Sequence, residues 1–228
     1  MKALTLLTIS LLSVGGPWLT HAQVANEGQA NAIIAARQKN AQLMQQFSWN
    51  TRIEVLESGA VKDTRIEQCV YGPNNQVQRT LINDTGAPLP HGFLRKRVAE
   101  RERADMETYL KQIVALLDKY TLPSAGAVIN FLGSAVIPRP GPDGLVQISG
   151  GSVVVPGDTL SLWIYAPTSA ARKVSIMTTD TDGNQVTATA TFNTLANGLN
   201  YLRYATIDIP AKNLSIQVHN YDYINQNN

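Results

Sequence analysis

The sequence predicts an α+β domain in which a strongly curved antiparallel sheet, an open half-barrel, is covered by helices. Three observations carry this expectation. The apolar period is helical over residues 26–47, over 93–120 and in a short stretch after Pro123, and it is two almost everywhere else. Helices and strands come in blocks: one helix, three strands, two helices, then six or seven strands, an order that suits an antiparallel sheet. Several strands are apolar or aromatic on both faces, whereas a sheet with one wet face would show polar residues there. Helices are therefore expected to cover one face, and a sheet wrapped around them can leave an apolar space.

The elements follow in order. Residues 26–47 bring Ile33, Ile34, Ala41, Met44 and Phe47 to helical spacing, with no Gly or Pro after Gly28. In "WNTRIEVLES" the period changes to two, with Trp49, Thr51, Ile53 and Val55 on one face and Asn50, Arg52 and Glu54 on the other. "VKDTRIEQCVY" and "QVQRTLIN" continue as strands separated by "GPNN". "DTGAPLPHG" reads as a loop, and the long helix after it is charged around its first half and apolar in its second, at Tyr109, Leu110, Ile113 and Val114. The mixed charges from Arg95 to Glu107 fit a solvated helix with internal ion pairs. "PSAGAVINFLGSAVI" adds a short apolar helix, and "PRPGPDG" returns the chain to strands.

"GLVQIS" and "SVVV" are expected as short strands and "DTLSLWIYA", "RKVSIMTTD" and "QVTATATFN" as full ones. "TDGN" between two of them has Asp-Gly hairpin chemistry. A calcium loop at Asp180, Asp182 and Asn184 is disfavoured, because the glycine is misplaced and no bidentate Glu stands at the twelfth position. The last pair, 199–209 and 213–223, is joined by "PAKN" and studded with tyrosines.

The first residues address the chain. Lys2 gives a basic start, Ala3 to Gly16 is uncharged and mostly apolar, and Thr20 and Ala22 are small residues at cleavage spacing. This is the pattern of a secretory signal peptide, residues 1–22, cleaved after Ala22. The apolar run is shorter than the roughly 18–20 residues that span a bilayer. A single domain over residues 23–228 is then expected in the exported chain, soluble after cleavage. The formal charge of +2 gives no reason to expect nucleic acid as a partner. Cys69 is the single cysteine, so no internal disulfide is available, and it reads as a small buried hydrophobe.

Nothing in the sequence assembles an active site. There is no G-x-S-x-G elbow, no H-E-x-x-H, no glycine-rich phosphate loop and no cysteine pair at metal spacing. Beyond the leader the histidines are His91, in a Pro/Gly loop, and His219, alternating with Gln217 and Tyr221. Each reads as a solvated or singly hydrogen-bonded imidazole. The carboxylate pairs Asp180/Asp182 and Glu100/Glu102 sit in a turn and a charged helix. The expectation is no enzyme, no cofactor and no metal.

The leader, the first helix, a strand trio beginning "SWNTRIEV", a helical insertion and a closing "PAKNLSIQVHNYDY" pair together resemble the periplasmic lipoprotein carrier (LolA/LolB-like) superfamily. The resemblance implies a half-barrel with helices as a lid, whose cavity holds lipoprotein acyl chains or a related lipid in the periplasm. The carriers have a cavity arginine, for which Arg52, Arg65 and Arg203 are the positions in view, with none singled out. Residue 23, next to the expected cut, is Gln and not the Cys that the lipid-anchored receptor branch would need. The residues expected to wall an apolar site are Trp49 and Ile53 on the first strand, and Trp163 and Ile164 on "TLSLWIYA". Phe192, Tyr201, Tyr204 and Ile207 complete it. The alternative is a non-enzymatic structural or assembly partner in the cell envelope, docking through the charged helix or a sheet edge.

Overall fold

The computed structural model describes residues 21–73, 76–85, 93–122 and 124–227. The expected leader up to residue 20 and the loop holding His91 lie outside the described residues. The chain begins with α1 (His21–Met44), followed by β1 (Phe47–Glu57), β2 (Ala60–Tyr71) and β3 (Val77–Asp84). Next come α2 (Phe93–Asp118), a 3-10 turn (Lys119–Thr121) and α3 (Ala125–Ser134). Six strands complete it: β4 (Leu145–Gly151), β5 (Thr159–Tyr165), β6 (Ala170–Thr179), β7 (Gln185–Thr194), β8 (Asn200–Ile209) and β9 (Leu214–Asn225).

All nine strands form one antiparallel sheet in the order β3-β2-β1-β9-β8-β7-β6-β5-β4. Neighbours in space are neighbours in sequence except β1 and β9, which pair as third and fourth in that order. The edges β3 and β4 do not pair with each other, so the sheet is not closed into a barrel.

Apolar side chains of the helices pack on one face in two clusters. In the first, Ile33 of α1 and Phe131 and Leu132 of α3 meet Ile148, Leu160 and Ile176 of β4 to β6. Gly150 permits the contact of α3 with β4, because a Cβ there would lie 2.7 Å from the Phe131 ring. In the second, Leu110 and Ile113 of α2 meet Ile53, Val186, Ile209 and Ile216 of β1, β7, β8 and β9. Leu117 touches both clusters. Helix joins helix where Arg37 of α1 donates to the Thr121 carbonyl at 2.9 Å, answering an acceptor at the end of the α2 turn. Tyr109 of α2 donates to Asp180 in the β6–β7 turn at 2.7 Å, and Lys212 lies over its ring.

Three expectations are corrected. Phe47 is not the end of the first helix but the first residue of β1, 3 % exposed, since the helix stops at Met44. "SVVV" is not a strand. Ser152 takes a left-handed φ of 52°, and the N–H groups of Val153, Val154 and Val155 all donate to the Asp158 carboxylate at 2.6–2.8 Å. A carboxylate that collects those donors removes them from any strand ladder. The face opposite the helices is wetter than expected. With Val186 and Ala188 in the clusters, alternation sends Thr187, Thr189 and Thr191 of β7 to that face, and Thr206 of β8 pairs with Thr189 there.

Candidate functional site

The candidate site lies where β8 and β9 part. Their ladder runs from Ile209↔Leu214 to Tyr204↔His219 and then ends, while β8 stays on β7 and β9 stays on β1. Past that point side chains replace the ladder. The amide of Asn220 donates to the Leu202 carbonyl at 3.0 Å, and the Tyr223 hydroxyl reaches the same oxygen at 3.4 Å. Asn40 of α1 fixes the start of β8 from outside the sheet. It donates to the Asn200 carbonyl and accepts from the Asn200 N–H, both at 2.7 Å, as a strand neighbour would.

Aromatic rings line one side of this opening. Trp49 lies parallel to Tyr223, with ring centres 5.8 Å apart, and tilts against Tyr71 at 5.9 Å. Tyr201 reaches Tyr223 across the gap at 4.3 Å. The β1–β9 register shift between Ser48 and Asn50 explains the stack: Trp49 faces two residues, one of them Asp222 at φ 54°. Burial, with Tyr201, Cys69 and Tyr71 as neighbours, pushes ionisation of the Tyr223 phenol far above its usual range, so it stays a donor. Below the rings is a polar group of buried residues. Thr51 donates to Asn220 at 2.7 Å and lies 3.4 Å from the Cys69 sulfur. Burial pushes the Cys69 thiol up, so it remains unionised at neutral pH.

The other side of the opening is polar and faces away from the helices. Register places Thr191, Tyr204, His219 and Arg52 side by side on β7, β8, β9 and β1. They line a depression of about 420 Å³ together with Glu54, Gln217 and Arg203. A second depression, about 390 Å³, shares Arg203 and His219 and runs on to Tyr201, Asn220 and Tyr223, so the two sides meet at the opening. Arg203 reaches this face through a bulge. Thr191 pairs with Tyr204 but Phe192 pairs with Leu202, so Arg203 is the extra residue, turned to the same side as Tyr204. Burial, then the Glu54 and Asp208 carboxylates, raise the Tyr204 phenol above its ordinary value.

The expected wall residues are distributed over both faces. Ile53, Ile164 and Ile207 lie against the helices in the packed clusters. Trp49 and Tyr201 each reach the Tyr223 ring at the opening, whereas Tyr204 lines the polar depression beside His219. Phe192 is half-buried beside the bulge, opposite Leu202. Trp163 stands apart, since Leu162 and Ile164 pack toward the helices and alternation turns Trp163 the other way, beneath the Lys173 ammonium at 4.8 Å. Of the three arginines in view, Arg203 and Arg52 line the first depression. Arg65 pairs with Glu67 on β2 at 2.5 Å. Gln217 is not among the expected site residues and His219 is expected as a solvated or singly hydrogen-bonded imidazole; both line the first depression.

Among the described residues no helix is long and apolar enough to cross a membrane, and no group of His, Cys, Asp and Glu could hold a metal ion. No family model matches the chain, and no curated protein matches it. Two solved structures are similar to it. One is a DUF1329 family protein from Desulfovibrio piger, 7 % identical, covering 86 % of this chain and 91 % of its own, with a TM-score of 0.37. The other, NE2245 from Nitrosomonas europaea, is 11 % identical and covers 85 % of this chain and 92 % of its own at a TM-score of 0.38; it is a LolA superfamily protein.

Proposed function

We propose that the protein is an exported, non-catalytic binding protein that carries an apolar ligand, such as lipoprotein acyl chains or lipid, in the periplasm after cleavage at Ala22. The observation that supports this most is the ring chain Tyr71, Trp49, Tyr223 and Tyr201 at the opening between β8 and β9. These rings belong to neither packed cluster. Three of the four carry hydroxyls, so they offer apolar area to a chain and a wet edge to its polar end. In this reading the helices cover a half-barrel, and Trp49, Tyr201 and Tyr204 form the mouth of the binding region. Phe192 flanks it, Ile53, Ile164 and Ile207 belong to the packed clusters beneath the helices, and Trp163 on the outer face takes no part.

Protein purified from a bacterial host without detergent should yield lipid or acylated peptide on organic extraction and mass spectrometry. A fluorescent fatty-acid probe should bind, and Tyr201→Ala with Tyr204→Ala should weaken it roughly tenfold while circular dichroism is unchanged, as expected when two aromatic contacts are lost. Absence of both co-purified lipid and probe binding would overturn the carrier reading. The assembly-partner reading would then lead, because the edge strand β3 exposes Leu81 and Ile82 at 48 % and 57 %.

A further inference from the structure

The depression on the face away from the helices is chemically unlike the ring chain, and its composition points to a different ligand. Arg203 projects from the bulge on β8, and His219 stands beside Tyr204 and Arg52 in one row across three strands. Arg52, half exposed, pairs with Glu54 beside the depression. Glu54 and Gln217 are register partners, and both line the floor, giving acceptors and an amide donor next to the cationic side. The Tyr204 ring packs edge-on to His219, with centres 6.5 Å apart. The depression therefore offers a planar cation, a half-buried aromatic ring and hydroxyl-binding groups within one small volume.

We propose that this depression binds a sugar ring bearing a carboxylate or phosphate. Arg203 takes the anionic oxygens, since its flat fork of donors matches both groups bidentately. His219 donates or accepts beside it, Tyr204 lies against the apolar side of the ring, and Glu54 and Gln217 bind the hydroxyls. Gln217 and the second Glu54 oxygen answer hydroxyls that a bare anion lacks, and Arg203 selects against a neutral sugar, which leaves its charge unanswered. The volume of about 420 Å³ suits one such ring. This site does not depend on an apolar ligand at the ring chain.

Isothermal titration of the full chain with glucuronate and with glucose phosphate tests the assignment, with glucose and inorganic phosphate as controls. At least one anionic sugar should bind about tenfold more tightly than either control, a difference that one charge-assisted bidentate contact supplies. Arg203→Gln should remove that advantage. Arg172→Gln, which alters a bulge cation outside the depression, should keep it, and binding of the fatty-acid probe should persist in Arg203→Gln. Phosphatidylcholine vesicles bearing a glucuronosyl diacylglycerol separate the two sources of such a ring: retention on them assigns a membrane-borne headgroup, and binding of the free sugar without retention assigns a soluble one. No binding in solution or on vesicles, equal affinity for glucose, or indifference to Arg203→Gln would each overturn the site while leaving the apolar-carrier reading to its own experiment.

Discussion

The sheet has two halves, joined where β8 meets β9, and they bury charge in different ways. On the β4–β8 side, Asp158 is 2 % exposed and is satisfied by three N–H groups of its own loop and by the Tyr120 hydroxyl at 2.6 Å. Tyr120 also reaches Thr178, which ties the end of α2 to β6. On the β9–β3 side, Glu67 is 1 % exposed and is satisfied by Arg65 of its own strand and Arg79 of β3 at 3.0 Å. A carboxylate fed by backbone groups a few residues away is a closed unit and survives shifts elsewhere. One fed by long, partly solvated side chains from two strands depends on how those strands lie. The first half is thus the platform, its buried charge closed within one loop, and the second the flap, its buried charge shared between β2 and β3, with the opening where they meet.

The largest expected effect is on the platform. Asp158→Ala should cost about 3–4 kcal/mol, because three backbone donors and the Tyr120 hydroxyl lose their acceptor in a buried site. The shift of the urea midpoint measures it. The same carboxylate gives a pH signature. Burial opposes its ionisation, but the Tyr120 hydroxyl and the three N–H groups prevail and hold it below the ordinary 3.8. Its contribution is therefore complete above about pH 4 and is lost as pH falls through the folded-state value. Asp158→Asn should flatten the decline of stability below that pH. Burial and the bond to Asp158 push Tyr120 up to about 12, so this end of the molecule keeps its donor well into alkali.

On the flap, Glu67→Ala should cost about 2–3 kcal/mol, less than a fully enclosed ion pair, because Arg65 and Arg79 are partly exposed and can turn to water. An equal or larger loss than for Asp158→Ala would break the contrast between the halves. Trp163→Ala comes next, at about 1 kcal/mol, since the ring is half-buried on the outer face under Lys173 and leaves no enclosed cavity. A loss above about 3 kcal/mol would mean that the outer face is packed like a core. The smallest effect needs no mutation. Amide exchange should be faster for 200–203 and 220–223 than for 204–209 and 214–219, because only the latter pair across β8 and β9.

Much of this organisation was legible in the residues. Strict alternation in "WNTRIEV" and "QVTATATF" gave β1 and β7, and Asp-Gly chemistry gave the turn at 180–184, closed by the Gly183 N–H on the Asp180 carbonyl. "SVVV" misled because a β-branched run reads as a strand. Only the reach of Asp158, which a linear pattern does not show, winds it into a turn. Bulges were equally invisible. One extra residue at Arg172 and one at Arg203 put consecutive side chains on one face, against the alternation used to read them. At the first, both cations are occupied, Arg172 over Tyr165 and Lys173 over Trp163. At the second, Arg203 lines both depressions. Trp49 and Tyr201 on the aromatic side and Tyr204 on the polar side were among the expected residues, and the bulge hid only that Arg203 shares the face of Tyr204.

The pairing of β1 with β9 sets the order in which the molecule can form. Thr51 bonds to Asn220 across 169 positions and Ser48 to Gln226 across 178, so an interior pair of the sheet joins β1 to β9. The hairpins β1–β3 and the meander β4–β8 close early through short loops, but they remain two unjoined pieces until β9 exists. A ribosome-bound chain thus cannot complete its sheet before its final strand emerges, and the two exposed edges wait for it.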